Sequence, residues 1–397
     1  MTIWPAHTSE TRTYRQASRG GSKQDRTLTE IQVSIPPMIA ELVYQADPRL
    51  VSPLETAVAD LREVDSGSAA SLNTMANFLI RTDSIASSKI ESIEASTEDF
   101  ARAIAGSKAN QSASLMAAGA EAIAKLVNQV GVSGRFTIDA LLNAHQTLLA
   151  EDEIESRFAG KFRDVQNWIG GSNYSPYLAD YIPPPPDLVE KYMLDLISFL
   201  NRDDLPVVAQ AAIGHAQFES IHPFTDGNGR VGRAIISAVF RRRGVSRRVL
   251  TPVASALVAN QGKYFQTLID YRSGNVDELV LNLALAAQIS GREALVSALH
   301  IETMPEAWLA TAKPRAGSAA ERLIKLLILN PVLSAEQAET LLGASSQSIY
   351  EAMDALERAG VVHELTNRKR NKVWGATAVL IELESLNLRI AHAVKRT

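Results

Sequence analysis

His222-Pro223-Phe224-Thr225-Asp226-Gly227-Asn228-Gly229-Arg230-Val231-Gly232-Arg233 separates two runs with helical periodicity. The run before it carries Val207, Val208, Ala211, Ala212, Phe218 and Ile221, and the run after it Val231, Ile235, Val239 and Phe240. Pro223 and the Gly-Asn-Gly triplet break both, so the spacing predicts helix, tight loop, helix. The loop then ends at a helix N-terminus, where unpaired N–H groups and the positive dipole end suit phosphate. Glycine lets backbone approach phosphate oxygens closely. Arg230 and Arg233, three apart, share a face of the second helix. Asp226 is a hard oxygen ligand placed for Mg²⁺ on a polyphosphate.

Outward from this stretch the texture stays helical. Helical spacing covers about 38–61, 72–93, 97–108, 112–130, 136–149 (capped by Thr137), 188–200, 254–258, 262–271 and 276–298. Few alternating runs occur, so the fold class is all-α. The exception is Gly160 to Gly171, which alternates like a strand and reads as a short β-hairpin or flap. Pro183 to Pro186 must be extended. Residues 1–34 are polar and aperiodic and are expected to be a flexible arm. A helical region over 35–135 and a core over 136–303 follow.

Between Pro305 and Gly317 the pattern lapses, which places a boundary before a unit at 318–397. There Ser334 and Gln337 form a capping box, Gly343 stops the helix, and Ser345 or Ser346 caps the next. Two short helices followed by a hairpin tipped with Arg368, Lys369, Arg370 and Lys372 form a winged-helix pattern. The second helix exposes Glu351, Asp354 and Glu357, which disfavours a phosphate backbone, while the basic tip favours one. DNA contact and protein interaction, a homodimer included, both stay open.

The 397 residues include 46% hydrophobic and 21% charged residues, with a net charge of −4. That composition is ordinary for a globular protein and does not steer the whole molecule toward nucleic acid or an anionic membrane. Without cysteine, thiolate catalysis, disulfides and cysteine-based zinc sites are excluded, and a cytoplasmic location is expected. No run of ~18 apolar residues is found, so no membrane span is expected.

The twelve-residue stretch resembles the Fic-domain signature, His-Pro-Phe-x-(Asp/Glu)-Gly-Asn-Gly-Arg-x-x-Arg, at every defined position. Gly160-Lys161-Phe162-Arg163 and Val165 to Gly171 look like that family's target-binding flap. Ser87-Ser88-Lys89-Ile90-Glu91-Ser92 resembles its inhibitory motif, (Ser/Thr)-x-x-x-Glu-(Gly/Asn), on a helix at about 76–93, with Ser92 departing at the last position.

The resemblance implies AMP transfer from ATP to a Ser, Thr or Tyr hydroxyl of a target protein, with Mg²⁺ as cofactor. The family relative that phosphorylates its target lacks this Gly-Asn-Gly-Arg order, which favours AMP. By the same resemblance His222 is the catalytic base and Asp226 the metal ligand. Gly227, Asn228, Gly229, Arg230, Val231, Gly232 and Arg233 line the nucleotide, joined by Tyr264 and Arg272. Gln166, Asn167, Trp168 and Ile169 bind the target, and Ser87 and Glu91 inhibit, Glu91 by pairing with Arg233. Phe224 is expected in the core and His215 to be a core hydrogen-bonding histidine. Competing readings are a DNA-binding regulator with a nucleotide-sensing core, use of another nucleotide, and removal of AMP.

Overall fold

A computed structural model describes residues 4–17, 19–66 and 69–396, the side chains of 69–74 excepted. Apolar spacing of three and four residues gives helix along most of it. In chain order the elements are β1 (Thr8–Thr13), α1 (Lys23–Thr27), β2 (Glu30–Ile35), α2 (Pro48–Val64), α3 (Ala69–Ile90), α4 (Thr97–Ile104), α5 (Gln111–Ser133) and α6 (Ile138–Leu149). A 3₁₀ turn at Glu155–Phe158 precedes α7 (Pro186–Leu200), α8 (Val207–Ile221), α9 (Asn228–Arg242), α10 (Val253–Ala259), α11 (Gln261–Arg272) and α12 (Asp277–Ala312). Then come α13 (Ala319–Leu329), β3 (Val332–Ser334), α14 (Ala335–Leu342), α15 (Ser346–Arg358), β4 (Val362–Glu364), β5 (Val373–Ala376) and α16 (Thr377–Val394).

Two compact units emerge. The first comprises Met1–Val58, Ala122–Val245 and Gln261–Leu285. Its centre is α8, buried from Val208 to Ile221. Two glycines let neighbours approach that helix. A Cβ on Gly214 would sit 2.5 Å from Leu200 of α7, and one on Gly232 of α9 would sit 2.4 Å from Glu219 and 3.1 Å from Phe218. Thr137 caps α6 through the Ala140 N–H, as its position predicts.

Several expectations for this unit are corrected. Residues 8–13 and 30–35, all but Ile35 expected within a flexible arm, pair antiparallel from Thr8↔Ile35 to Thr13↔Glu30. Only Ile31 and Val33 point inward, and β1 lies almost wholly in solvent, so the alternation was too short to read as a strand pair. Helix was expected from 38, but α2 begins at Pro48, because Asp195 instead takes the N–H groups of Ile39 and Ala40 at 2.6 and 3.1 Å. The 160–171 hairpin is not a hairpin of strands. A single bridge, Ile169↔Tyr181, replaces it, and polar side chains supply the rest of the pairing.

The second unit comprises Ala59–Glu121, Ser246–Asn260 and Ala286–Thr397. Asp65 accepts from the N–H groups of Arg247, Arg248 and Val249, and Asp83 from that of Ala254 at the start of α10. α3 ends in a Schellman motif: Ile93 N–H reaches the Ser88 carbonyl and Ser92 N–H that of Lys89, each at 3.0 Å. Ser92 takes φ 60°, the region glycine and asparagine enter at least cost. The residue that departs from the inhibitory pattern thus sits where backbone shape explains the usual choice.

In the C-terminal part β3, between α13 and α14, and β4 and β5, after α15, form an antiparallel sheet in the order β3-β5-β4. The capping box of Ser334 and Gln337, the left-handed Gly343 and the Ser345 cap all occur. The expected isolation of 318–397 is not seen. Ala101 of α4 shares a core with Val332, Leu365, Val373 and Leu380, and Arg102 donates to the Leu365 carbonyl at 2.7 Å. Nor does Pro305 end a helix, since α12 continues to Ala312. A proline removes one ladder bond, and buried Ile301 and Trp308 hold the helix on either side. By length and composition α12 could cross a membrane, yet Leu279, Val280, Leu283, Ala287, Ala294 and Ile301 are buried within the protein.

Candidate functional site

α8 closes on His222, whose φ of 51° and ψ of 59° turn the chain out of the helix. The loop then runs to Gly227, the N-cap of α9, at φ 76°. A Cβ there would lie 2.8 Å from Leu148, so both backbone and space call for glycine. No side chain caps α9, and its first N–H groups face the end of the loop.

The polar side chains of the motif divide into two sets. Asn228 is 3% exposed and spends its amide on Phe224, accepting from its N–H and donating to its carbonyl, both at 2.9 Å. It closes the loop, and the second N–H of its amide and its backbone N–H remain as donors for an anion. Val231 is buried, and Gly232 lets α9 pack closely on α8. Asp226, half exposed, pairs with Arg230 at 2.8 Å. Arg230 is 4% exposed, and its Nε and Nη1 have no hydrogen-bond partner among the described residues. Burying such donors without acceptors is costly, which points to an anionic ligand. Arg233 is buried on the same helix.

Phe224 is fully buried, as expected, and stacks on His145 with ring centroids 3.7 Å apart. His145, on α6, is a residue the motif did not disclose. The Gly160 N–H donates to its Nδ1 at 3.0 Å, so Nε2 carries the proton and donates to the Asp226 carbonyl at 3.1 Å. Burial pushes its pKa down to about 4, so the ring is neutral. It joins the root of the 160–171 segment to the loop. Its only sequence signal was a lone imidazole in the apolar stripe Ala140, Leu141, Ala144, Leu148.

Arg163 is the second residue whose role was missed. It was visible in Gly160-Lys161-Phe162-Arg163 but read as flap. Its guanidinium donates to the carbonyls of His222 (2.8 Å), Val165 (3.1 Å), Pro184 (2.5 Å) and Ile221 (3.4 Å). A buried cation thus neutralises the C-terminal dipole end of α8 beside His222. Burial lowers its pKa to about 10, and it stays charged at neutral pH.

The four flap residues fare unequally. Asn167 turns inward, donating to the Phe224 carbonyl at 2.8 Å and the His222 carbonyl at 3.3 Å. Gln166 bonds the Pro183 carbonyl, and the Trp168 indole N–H the Ser172 carbonyl. Ile169 holds the bridge to Tyr181. The side chains of Gln166, Asn167 and Trp168 are thus turned to bonds within the flap and to the loop, while the Ile169 side chain is exposed. Among the described residues no backbone carbonyl accepts from the peptide N–H groups of 165–168.

His215 is the core histidine expected, bonded through Nε2 to the Tyr264 hydroxyl at 2.9 Å. Burial and the Arg233 charge push its pKa to about 3. Tyr264 is therefore committed to a buried pair, while neighbouring Phe265 is exposed. Arg272 lies over the Tyr181 ring at 3.5 Å, and its carbonyl accepts from the His7 N–H. Ser87 is buried on α3, and Glu91 follows that helix in its capping turn.

Residues 135–240 match the Fic/DOC family model. The Fic-matching segment contains α6, the flap, α7, α8, the loop and most of α9. Protein adenylyltransferase fic-1 of Caenorhabditis briggsae is 32% identical over 137 residues, 32% of this chain and 24% of that protein. Protein adenylyltransferase Fic of Nematostella vectensis is 32% identical over 115 residues, 28% of this chain and 24% of that protein. The chain thus spans about a quarter of the length of these curated relatives. A Fic family protein from Desulfovibrio desulfuricans G20 shares the fold at a TM-score of 0.52 and 20% identity, over 84% of this chain and 98% of its own.

Proposed function

We propose that the protein transfers AMP from ATP to a hydroxyl of a protein side chain. One observation carries this reading. The imidazole of His222 precedes a helix N-terminus that is capped by Gly227 and flanked by a buried Arg230 whose Nε and Nη1 have no hydrogen-bond partner among the described residues. That is a proton acceptor beside an anion site.

In this mechanism His222 takes the proton of a Ser, Thr or Tyr hydroxyl as its oxygen bonds to the α-phosphorus. The bond from that phosphorus to the bridging oxygen breaks, and pyrophosphate leaves with the electron pair. The N–H groups at the start of α9 and the Arg230 guanidinium stabilise the phosphate oxygens, and Arg233 holds the far end of the triphosphate. Asp226 would hold Mg²⁺. Among the described residues no cluster of three acidic or histidine ligands exists, and one carboxylate plus substrate phosphates suffices for this ion. When bound, Mg²⁺ neutralises charge on the leaving pyrophosphate. The target lies along the flap and pairs with the peptide groups of 165–168, which orients its hydroxyl with little sequence reading.

Glu91 acts as a brake on this reaction. Support comes from the Ser87–Glu91 spacing and from the Schellman turn that presents the glutamate at the end of α3. The C-terminal elements form a winged-helix module, supported by the order α13, β3, α14, α15, β4, β5. α15 exposes Glu351 and Asp354, which favours a protein partner, a second copy included, over DNA. Sequence-specific retention on DNA at ~150 mM salt would overturn that preference.

Labelled ATP tests the reaction. Label on the α-phosphate should enter protein and label on the γ-phosphate should not, with incorporation rising in Glu91→Gly. Transfer of the γ-label would instead mean a kinase. Equal incorporation with and without the glutamate would remove the brake.

A further inference from the structure

The segment ahead of the catalytic core is built into the flap. Asp25, on α1, is 3% exposed and accepts from the Ser22 N–H (2.7 Å), the Ser22 hydroxyl (2.6 Å) and the Ser175 hydroxyl (2.6 Å). The Ser172 hydroxyl bonds to it as well, and these donors hold its carboxyl well below the usual range. Ser172 and Ser175 lie in the flap tip, between Ile169 and Tyr181. Ser172 also takes the indole N–H of Trp168 on its carbonyl at 2.7 Å, so the chain of bonds runs from Asp25 to the edge at 165–168.

Two further contacts are independent of that carboxylate. Gly20, at φ 140°, lies so close to Tyr174 that a Cβ would be 2.5 Å from its ring. The Ser34 N–H of β2 donates to the Ile182 carbonyl at 2.8 Å, next to the Ile169↔Tyr181 bridge. β1, β2, residue 182 and residue 169 thus follow one another as neighbouring strand segments. Among the described residues this buried carboxylate is satisfied by hydroxyls of the flap tip and by its own N-cap. Its effect falls on the flap.

We propose that Asp25 is a positioning residue for the protein acceptor: through Ser172 and Ser175 it fixes the flap tip, and the 8–35 segment forms part of the acceptor-binding apparatus. The proposal rests on AMP transfer as the reaction. Nucleotide binding, which depends on the loop and α9, is independent of it.

The test uses the full chain and the variants Asp25→Asn and Ser175→Ala, the second removing only the flap-side partner. Hydrogen exchange of peptides covering 165–177 should speed up about tenfold or more in both, with peptides of 207–242 unchanged. With a His222→Ala copy of the chain as acceptor, the acceptor KM should rise several-fold while the KM for ATP stays constant. Unchanged exchange at 165–177 overturns the proposal, as does an ATP KM that rises in step with the acceptor KM. If the wild-type chain transfers no AMP, the reaction itself fails, and the exchange data still decide whether Asp25 holds the flap.

Discussion

Gly227 is the residue at which the loop's shape is decided. With φ 76° and Leu148 2.8 Å from any added Cβ, Gly227→Ala should destabilise the protein by about 1–3 kcal/mol and abolish nucleotide binding. Calorimetry with ATP and Mg²⁺ checks the second effect, denaturant titration the first. His145 makes a different prediction. His145→Phe keeps the stacking on Phe224 and loses both hydrogen bonds, for a cost of about 1–3 kcal/mol.

The same ring sets a pH dependence. The unfolded chain binds a proton near the ordinary histidine pKa, while the folded ring resists until about pH 4. Stability is therefore full above roughly pH 6.5 and falls as the pH drops toward 4, by on the order of 1 kcal/mol per pH unit. His7 and His215, each lowered to about 3, add slopes of the same sign. Melting curves across that window should be flatter for the phenylalanine variant. At this scale the sequence disclosed the motif residues because their order is dense. It could not disclose His145, because nothing along the chain links that imidazole to a loop some eighty residues later.

Among the elements, α8 and its C-terminal turn depend on Arg163. Arg163→Met removes a buried cation from four carbonyls, and the cost should be about 3–5 kcal/mol. Lysine, with one compact head group, should recover only part of it. Denaturant midpoints rank the three proteins, and equal midpoints for methionine and arginine would remove the capping role. Helices were legible here because their apolar stripes are long, and caps such as Thr137, Ser334 and Ser345 fixed their starts. The flap was misread as strands because its alternation is real but its pairing runs through Arg163, Gln166 and Asn167 side chains. The β1–β2 pair was missed because only two of its residues face a core.

For the whole molecule, the units do not follow the composition. The lapse at Pro305–Gly317 looked like a boundary, yet α12 passes through Pro305, and the last strands share a core with α4. Shared burial between distant segments leaves no mark in local composition. Function at this scale reduces to whether the loop, α9 and the flap together transfer a nucleotide. Incubating wild type, Glu91→Gly and His222→Ala with Mg²⁺ and each of the four nucleoside triphosphates, and weighing the intact proteins, tests that directly. The account predicts a gain of one AMP with ATP, larger in Glu91→Gly and absent in His222→Ala. A gain that survives loss of His222 would contradict it, as would a gain of phosphate alone.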